Sequence, residues 1–165
     1  MKRWIVIHHS QTADGVTVSW PAIEKYHREH HGWRDVGYAG GVEAVADLHG
    51  ELATYAYQGL VGRPEAAVAA ACKEAEMNEL GLHLCLVGDF DKAPPPLRQL
   101  EVAVRRFVLP WMARYAIPAE RVIGHRDAGL MAGFDWRKIG PGGRRQYKSC
   151  PGGQFDLDLL RRMVR

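Results

Sequence analysis

Eight histidines and three cysteines are the residues of this chain best suited to bind a metal or move a proton near neutral pH. His8 and His9 stand where an apolar run, Trp4-Ile5-Val6-Ile7, gives way to the hydroxyls of Ser10 and Thr12. Successive strand residues face opposite sides, so one of the two histidines reaches any single site. His125 repeats the arrangement, after Val122-Ile123-Gly124 and before Arg126-Asp127. Cys150 lies in the polar stretch Tyr147-Lys148-Ser149-Cys150-Pro151-Gly152-Gly153, where a nearby lysine favours thiolate. Two imidazoles and one thiolate from independent strand ends and loops make a three-ligand zinc set. Three protein ligands leave a position for water, as catalytic zinc sites do. Zinc lowers the pKa of its water from about 15.7 to roughly 7 and polarises a carbonyl oxygen. Other positions compete. Cys72 follows three alanines and reads as packed, and Cys85 reads as buried between Leu84 and Leu86. His83 and Cys85 share one strand face and form an alternative pair. His27, His30 and His31 read as a solvated helix end, where cationic histidine suits the dipole, and His49 reads as a hairpin residue.

These side chains need a frame. Trp4 to Ile7 and Leu82 to Val87 are buried strands, the second ended by Gly88-Asp89. Arg121 to Gly124 is a short third strand. Ser10 to Gly15 is a polar turn. Ser19 is the expected N-cap, with Pro21 just inside, of a helix from Trp20 to His31 that Gly32 stops. Val36 to Val45 reads as a strand interrupted by Gly40-Gly41, joined by a hairpin through His49-Gly50-Glu51 to a strand over Leu52 to Tyr57. Pro64 to Glu76 is left open between short helix and packed loop. The longest helix is expected over Leu97 to Tyr115, with Leu100, Val104, Phe107, Val108, Trp111 and Met112 on one face and a kink at Pro110. Ala128 to Lys148 is expected as a long Gly- and Arg-rich loop, and long ordered loops are usually functional. A closing helix over Asp156 to Arg165 turns Leu157, Leu160 and Val164 inward. Alternating strands and helices indicate an α/β fold: a central mixed β-sheet flanked by helices.

Composition bounds the reading. The 165 residues are 47% hydrophobic and 25% charged, globular values that exclude disordered and fibrous classes. No apolar run approaches the roughly 20 residues of a membrane span. The basic start Met1-Lys2-Arg3 is not followed by the apolar segment of a secretory signal. Three widely spaced cysteines do not form a disulfide framework and read as intracellular thiols. Net charge is +3, which helps approach to an anionic polymer. The basic residues are scattered with no one-sided stripe, so nucleic acid is not an expected partner.

Seven short pieces in order carry a resemblance. They are Ile7-His8-His9-Ser10, Gly32 to Tyr38, Gly62-Arg63, Asn78, Leu84 to Gly88, Gly124 to Asp127, and Lys148 to Gly152. In this the chain resembles the zinc-dependent N-acetylmuramoyl-L-alanine amidases of the type-2 amidase and peptidoglycan-recognition fold, and most of all small phage and prophage lytic amidases (endolysins). The resemblance implies one Zn2+ per chain held by His8, His125 and Cys150. It gives Tyr38 the place of a tyrosine whose hydroxyl sits beside the attacking water. Lys148 takes that of a lysine beside the developing oxyanion, and both are catalytic residues. It implies hydrolysis of the amide joining N-acetylmuramic acid to L-alanine. Arg63, Asn78, Arg144 and Arg145 are expected at the substrate. Three departures stand out. Ala39-Gly40 replace a frequent His-Phe pair, which would remove a hydrogen bond and widen the cleft floor. No histidine lies near Cys72-Lys73. Cys150 follows His125 by 25 positions, and the added loop holds Arg137, Lys138, Arg144 and Arg145. That loop is expected to bind peptide carboxylates or anionic wall polymer.

The expected organisation is one catalytic domain over residues 1–165 with no separate wall-binding module. The expected partner is bacterial peptidoglycan, met by a monomer without stable membrane association. It would be made in the cytoplasm without a signal peptide and act on the wall after release across the inner membrane. Two alternatives belong to the same resemblance. One is a non-catalytic peptidoglycan-recognition module, whose members lack the Cys ligand. The other is a cytoplasmic muropeptide-recycling amidase, which commonly carries Asp at the position of Cys150.

Overall fold

β-Branched and leucine-rich runs without charge have only one low-energy destination, the middle of a sheet covered on both faces. In a computed structural model of the chain, which describes residues 1–12, 19–46, 49 and 52–165, two such runs lie side by side. β1 (Trp4–His9) and β4 (Gly81–Leu86) are parallel, with His8 opposite Cys85. β5 (Val122–Gly124) adds in parallel to the other side of β1. β2 (Gly40–Ala46) runs parallel to β4 and antiparallel to β3 (Leu52–Val61). The five-stranded order is β3-β2-β4-β1-β5. β1, β4 and β5 therefore end at one edge, where His8 and His9 close β1 and His125 follows β5 directly.

Alternation along β1 sorts the faces. Ile5 and Ile7 join Leu82, Leu84 and Leu86 against the long helix. That helix is α3 (Leu97–Ala103), a π-helical turn over Val104–Val108, and α4 (Leu109–Tyr115). Leu100, Ala103, Val104, Phe107, Val108 and Trp111 follow the 3.6-residue period and are buried. The distortion sits in the turn before Pro110, whose missing N–H and bulky ring displace the preceding carbonyls. The buried Gln99 amide donates to the Val42 and Val87 carbonyls at 3.2 and 2.9 Å and locks the helix to the sheet. α6 (Leu157–Met163) closes the same face with Leu157 and Leu160. Asp156 caps it by accepting from the Leu159 N–H at 2.8 Å.

The other face holds Val6 and Ile123 against Met77 of α2 (Met77–Leu80) and Ala128 of α5 (His125–Met131). α1 (Trp20–Glu29) lays Trp20 over Cys85. Ser19 is its N-cap but makes no side-chain cap bond. The buried Glu43 carboxylate accepts from the Trp20 N–H instead, and from Gln58 at 3.0 Å. No helix among the described residues is long and apolar enough to cross a membrane.

Several expectations need correction. The strand expected from Val36 begins at Gly40, and residues 36–39 are irregular. The next strand extends to Val61 rather than Tyr57. His49 is exposed at a turn, while residues 47, 48, 50 and 51 of the hairpin lie outside the described residues, as do 13–15 of the Ser10–Gly15 turn. Pro64 to Glu76 is irregular apart from a 3₁₀ turn over Glu74–Glu76. The loop expected from Ala128 starts only after Met131, because α5 carries on through Ala128. The Ala39-Gly40 pair does not widen a cleft floor. Ala39 packs in the helix-covered core, and a Cβ on Gly40 would lie 2.6 Å from the Phe107 ring. Phe107 also lies against Gly59, so the ring sits in a notch cut by two strands. His27 is buried rather than solvated, because it shares a helix face with Trp20 and Ile23. Its Nδ1 accepts from the Gly37 N–H at 3.2 Å, and burial holds its pKa down at about 4.

Candidate active site

Strand ends deliver two histidines to one point, and a pinned loop delivers a cysteine. His8 leaves β1 on the face opposite Ile7, and His125 opens α5, where Asp127 accepts from the Gly124 N–H at 2.9 Å. The loop carrying Cys150 is tied from three sides. Arg126 ties it as a donor: its guanidinium bonds the Gly152 and Phe155 carbonyls, and its N–H meets the Cys150 carbonyl at 2.7 Å. Asp91 accepts from Ser149 Oγ at 2.8 Å and from the Gly153 N–H at 2.7 Å. Gly152, at φ 117°, passes directly against the Phe90 backbone, where a side chain would have no room.

The result is a triad of donor atoms. His8 Nδ1 lies 3.2 Å from His125 Nδ1 and 3.6 Å from Cys150 Sγ. All three side chains are buried and within reach of one ion. Metal–nitrogen bonds of about 2.0–2.1 Å and a metal–sulfur bond of about 2.3 Å, set tetrahedrally, place N and N about 3.3 Å apart and N and S about 3.6 Å apart. The two observed edges have the lengths that such an ion requires. The protonation states match as well. Burial first, then the charges of His125, His83 and Lys148, hold His8 well below the usual imidazole range. Burial and Lys148 hold His125 at about 4. Both rings therefore offer lone pairs at neutral pH. Burial pushes the Cys150 thiol up to about 12, against the pull of the His9 N–H and Lys148. A coordinating cation removes that proton.

The triad forms the floor of a cavity of about 710 Å³. Tyr38 flanks it, with its ring centroid 5.2 Å from that of His8. Its hydroxyl meets the Cys85 thiol, and burial, then Cys85 and Cys150, raise its pKa well above the ordinary phenol. Lys148 also lines the cavity, its Nζ 5.9 Å from the Tyr147 ring centroid. Arg145 and Gln146 form part of the rim.

Residues 2–153 match the family described as N-acetylmuramoyl-L-alanine amidase. The chain belongs to this amidase family. Solved structures share its fold. The N-acetylmuramoyl-L-alanine amidase LysC from Clostridium intestinale URNW superposes with a TM-score of 0.66 at 19% identity, covering 99% of this chain and 85% of that one. The Ph2119 endolysin from a Thermus scotoductus bacteriophage gives 0.66 at 17%, covering 99% and 84%. Drosophila PGRP-LB gives 0.61 at 21%, covering 93% and 76%. No curated protein sequence matches the chain.

Within this amidase fold the remaining sequence candidates divide. Arg145 reaches the cavity, donates to the Trp136 carbonyl at 3.3 Å and packs over the Trp136 ring. Arg144 is exposed on the same turn, outside the cavity lining. Arg137 pairs with Asp135 at 2.9 Å. Arg63 and Asn78 lie outside the cavity lining too. Arg63 donates to the carbonyls of Val36, Asp35 and Val68, and Asn78 Oδ1 accepts from the Ala71 and Cys72 N–H groups. His9 turns from the triad and accepts from the Phe90 N–H at 3.2 Å.

Two residues beside the triad partner its histidines without any sequence motif that marks them so. His83 touches His8, with His8 Nε2 2.9 Å from His83 Nδ1 and His83 Nε2 2.8 Å from the Met77 carbonyl. A histidine in an otherwise apolar strand is the signal, since a buried ring needs partners. Glu74 Oε2 lies 3.2 Å from His125 Nε2 and accepts from the Cys72 thiol at 3.4 Å. Burial would raise the Glu74 carboxyl, but its neighbours Tyr147, Cys72 and His125, together with its own N–H, outweigh it and draw it down to about 2. No local pattern marks Glu74, because its direction depends on the left-handed backbone of Ala75 and Glu76.

Proposed function

We propose that this chain hydrolyses the amide bond between N-acetylmuramic acid and L-alanine in bacterial peptidoglycan, with one zinc ion held by His8, His125 and Cys150, as a phage or prophage endolysin. The observation that carries the reading is the pair of tetrahedral edges, 3.2 and 3.6 Å, between bare ring nitrogens and a thiol on a cavity floor. Family membership supplies the substrate class, and the fold shared with the Ph2119 endolysin supports the biological role.

Bound zinc supplies an acidified water, with a pKa lowered to roughly 7, and an electrophile for the amide carbonyl. The chain supplies the rest. Tyr38, kept protonated by burial, lines the cavity with its ring against His8 and orients the attacking water. The Lys148 ammonium stabilises negative charge as the carbonyl oxygen becomes tetrahedral. Arg145 at the rim, with Arg144 beside it, meets carboxylates of the stem peptide. Arg63 and Asn78 act on the backbone that shapes the site.

The test measures free amines and reducing ends released from purified peptidoglycan by zinc-loaded protein, chelated protein and Cys150→Ala. New L-alanine amines without new reducing ends, lost on chelation and in the variant, are the expected result. New reducing ends would mean a glycosidase. Sedimentation with the wall and no release would favour a recognition module, the reading that the fold shared with Drosophila PGRP-LB keeps alive.

A further inference from the structure

A metal-binding imidazole is useful only if its outer nitrogen holds the proton, and one short segment imposes that on both histidines of the triad. Glu74 Oε2 faces His125 Nε2 at 3.2 Å, with the two side chains 8% and 4% exposed. A carboxylate only accepts, so Nε2 carries the hydrogen and Nδ1 is left bare. Three residues on, the Met77 carbonyl faces His83 Nε2 at 2.8 Å. A carbonyl also only accepts, so in the neutral ring His83 Nδ1 is the acceptor. It takes the hydrogen of His8 Nε2 at 2.9 Å, and His8 Nδ1 is left bare in turn. The same five residues, Glu74 to Asn78, thus set two tautomers by separate routes.

The segment is built for rigidity. Asn78 Oδ1 accepts from the Ala71 and Cys72 N–H groups, both at 2.9 Å, and the Asn78 carbonyl accepts from Ala69 at 2.9 Å. Ala75 and Glu76 are both left-handed, at φ 49° and 58°. Side chains avoid that conformation unless surroundings impose it, and it clusters at functional sites. Here it turns Glu74 towards His125 while leaving the Met77 carbonyl towards His83.

We propose that Glu74 is a positioning residue of the metal centre and that the Glu74–Asn78 segment is its outer brace, acting on His125 through the carboxylate and on His8 through His83. This rests on the reading of His8, His125 and Cys150 as metal ligands. Glu74 touches neither substrate nor the reacting atoms. It fixes which nitrogen is free and raises the ligand's basicity.

Two readouts test it. Long-range ¹H–¹⁵N NMR on the metal-free protein reads the tautomer of each histidine. Competition with a chromogenic chelator reads zinc affinity. The parent should show His125 and His8 protonated at Nε2. Glu74→Gln, which keeps size and an acceptor but loses charge, should bind zinc more weakly. Glu74→Leu should lose roughly 10–100-fold in zinc affinity and show mixed His125 tautomers with His8 unchanged. Urea melts establish that both variants fold. Zinc affinity within twofold of the parent in both variants, with an unchanged His125 tautomer, overturns the proposal. A parent that takes up no zinc overturns the proposed function, and the tautomers of the metal-free variants still decide whether Glu74 orients His125.

Discussion

Asp91 should hold the cysteine loop in place, and its removal has a calculable cost. Its carboxylate accepts from Ser149 Oγ at 2.8 Å and the Gly153 N–H at 2.7 Å, bracketing Cys150 in sequence. Ser149 is 6% exposed, so without Asp91 its hydroxyl is buried and loses that acceptor. Such a group costs about 1–3 kcal/mol. Gly153 is exposed and recovers a bond from water, which limits its share to about 0.5 kcal/mol. Asp91→Ala should therefore cost about 2 kcal/mol. For 165 residues, at about 2.1 cal/mol/K per residue, that lowers Tm by about 6 °C. Ser149→Ala removes the stranded hydroxyl, so the double variant should recover about 1 kcal/mol relative to additivity. The pH dependence is fixed in sign. Burial raises the Asp91 carboxyl, but the Gly153 N–H and Ser149 outweigh it and leave its pKa below the usual carboxylate value. The stabilisation is complete above the unfolded pKa of about 3.9 and disappears as pH falls through the folded one. Thermal unfolding of metal-free parent, single and double variants at pH 7 and pH 3 measures all of this. Asp91→Ala melting within 1 °C of the parent, or strictly additive costs, would refute the reasoning.

Three further outcomes are expected. Lys148→Ala should lower kcat by about 10²–10³ with zinc stoichiometry unchanged, read by amine release and metal analysis. His27 has a folded pKa of about 4 against an ordinary 6.5, so the unfolded chain binds more protons between those values. Stability is full above 6.5 and is lost as pH falls towards 4, and urea midpoints in His27→Asn should flatten over that window. Ala116→Gly relieves a left-handed residue at the end of α4, φ 51°, and should raise stability by about 0.5–1 kcal/mol in urea unfolding.

How legible the molecule was depends on the range of the interaction. Trp4 to Ile7 and Leu82 to Leu86 announce buried strands by themselves, and Leu100 to Trp111 announces a helix by its period. Both patterns are local. His8, His125 and Cys150 were legible as a candidate metal set, because each side chain follows a strand or lies in a polar loop, and the structure brings the three together. The helix dipole alone favours a solvated His27, but its spacing from Trp20 and Ile23 places it on the buried face. The partners of the ligands were not legible. His83 meets His8 only through the β1–β4 register, and Glu74 meets His125 only through a backbone turn that neither alanine nor glutamate favours. Arg63 and Asn78 carry motif-like positions, yet both bond backbone, a use that a sequence pattern does not separate from ligand contact.

The Phe107 ring, seated in the notch of Gly40 and Gly59, makes two distant stretches of chain depend on one volume. The notch left by Gly40 and Gly59 holds one aromatic ring, and here the helix supplies it. A chain with an aromatic residue at position 40 has to surrender the one at 107. Change at either place is thus barred singly and open as an exchange: Gly40→Phe should fail in this background and be rescued by Phe107→Ala. The strand that leads out of Tyr38 would then drift in sequence only in step with a helix that touches no part of the cavity.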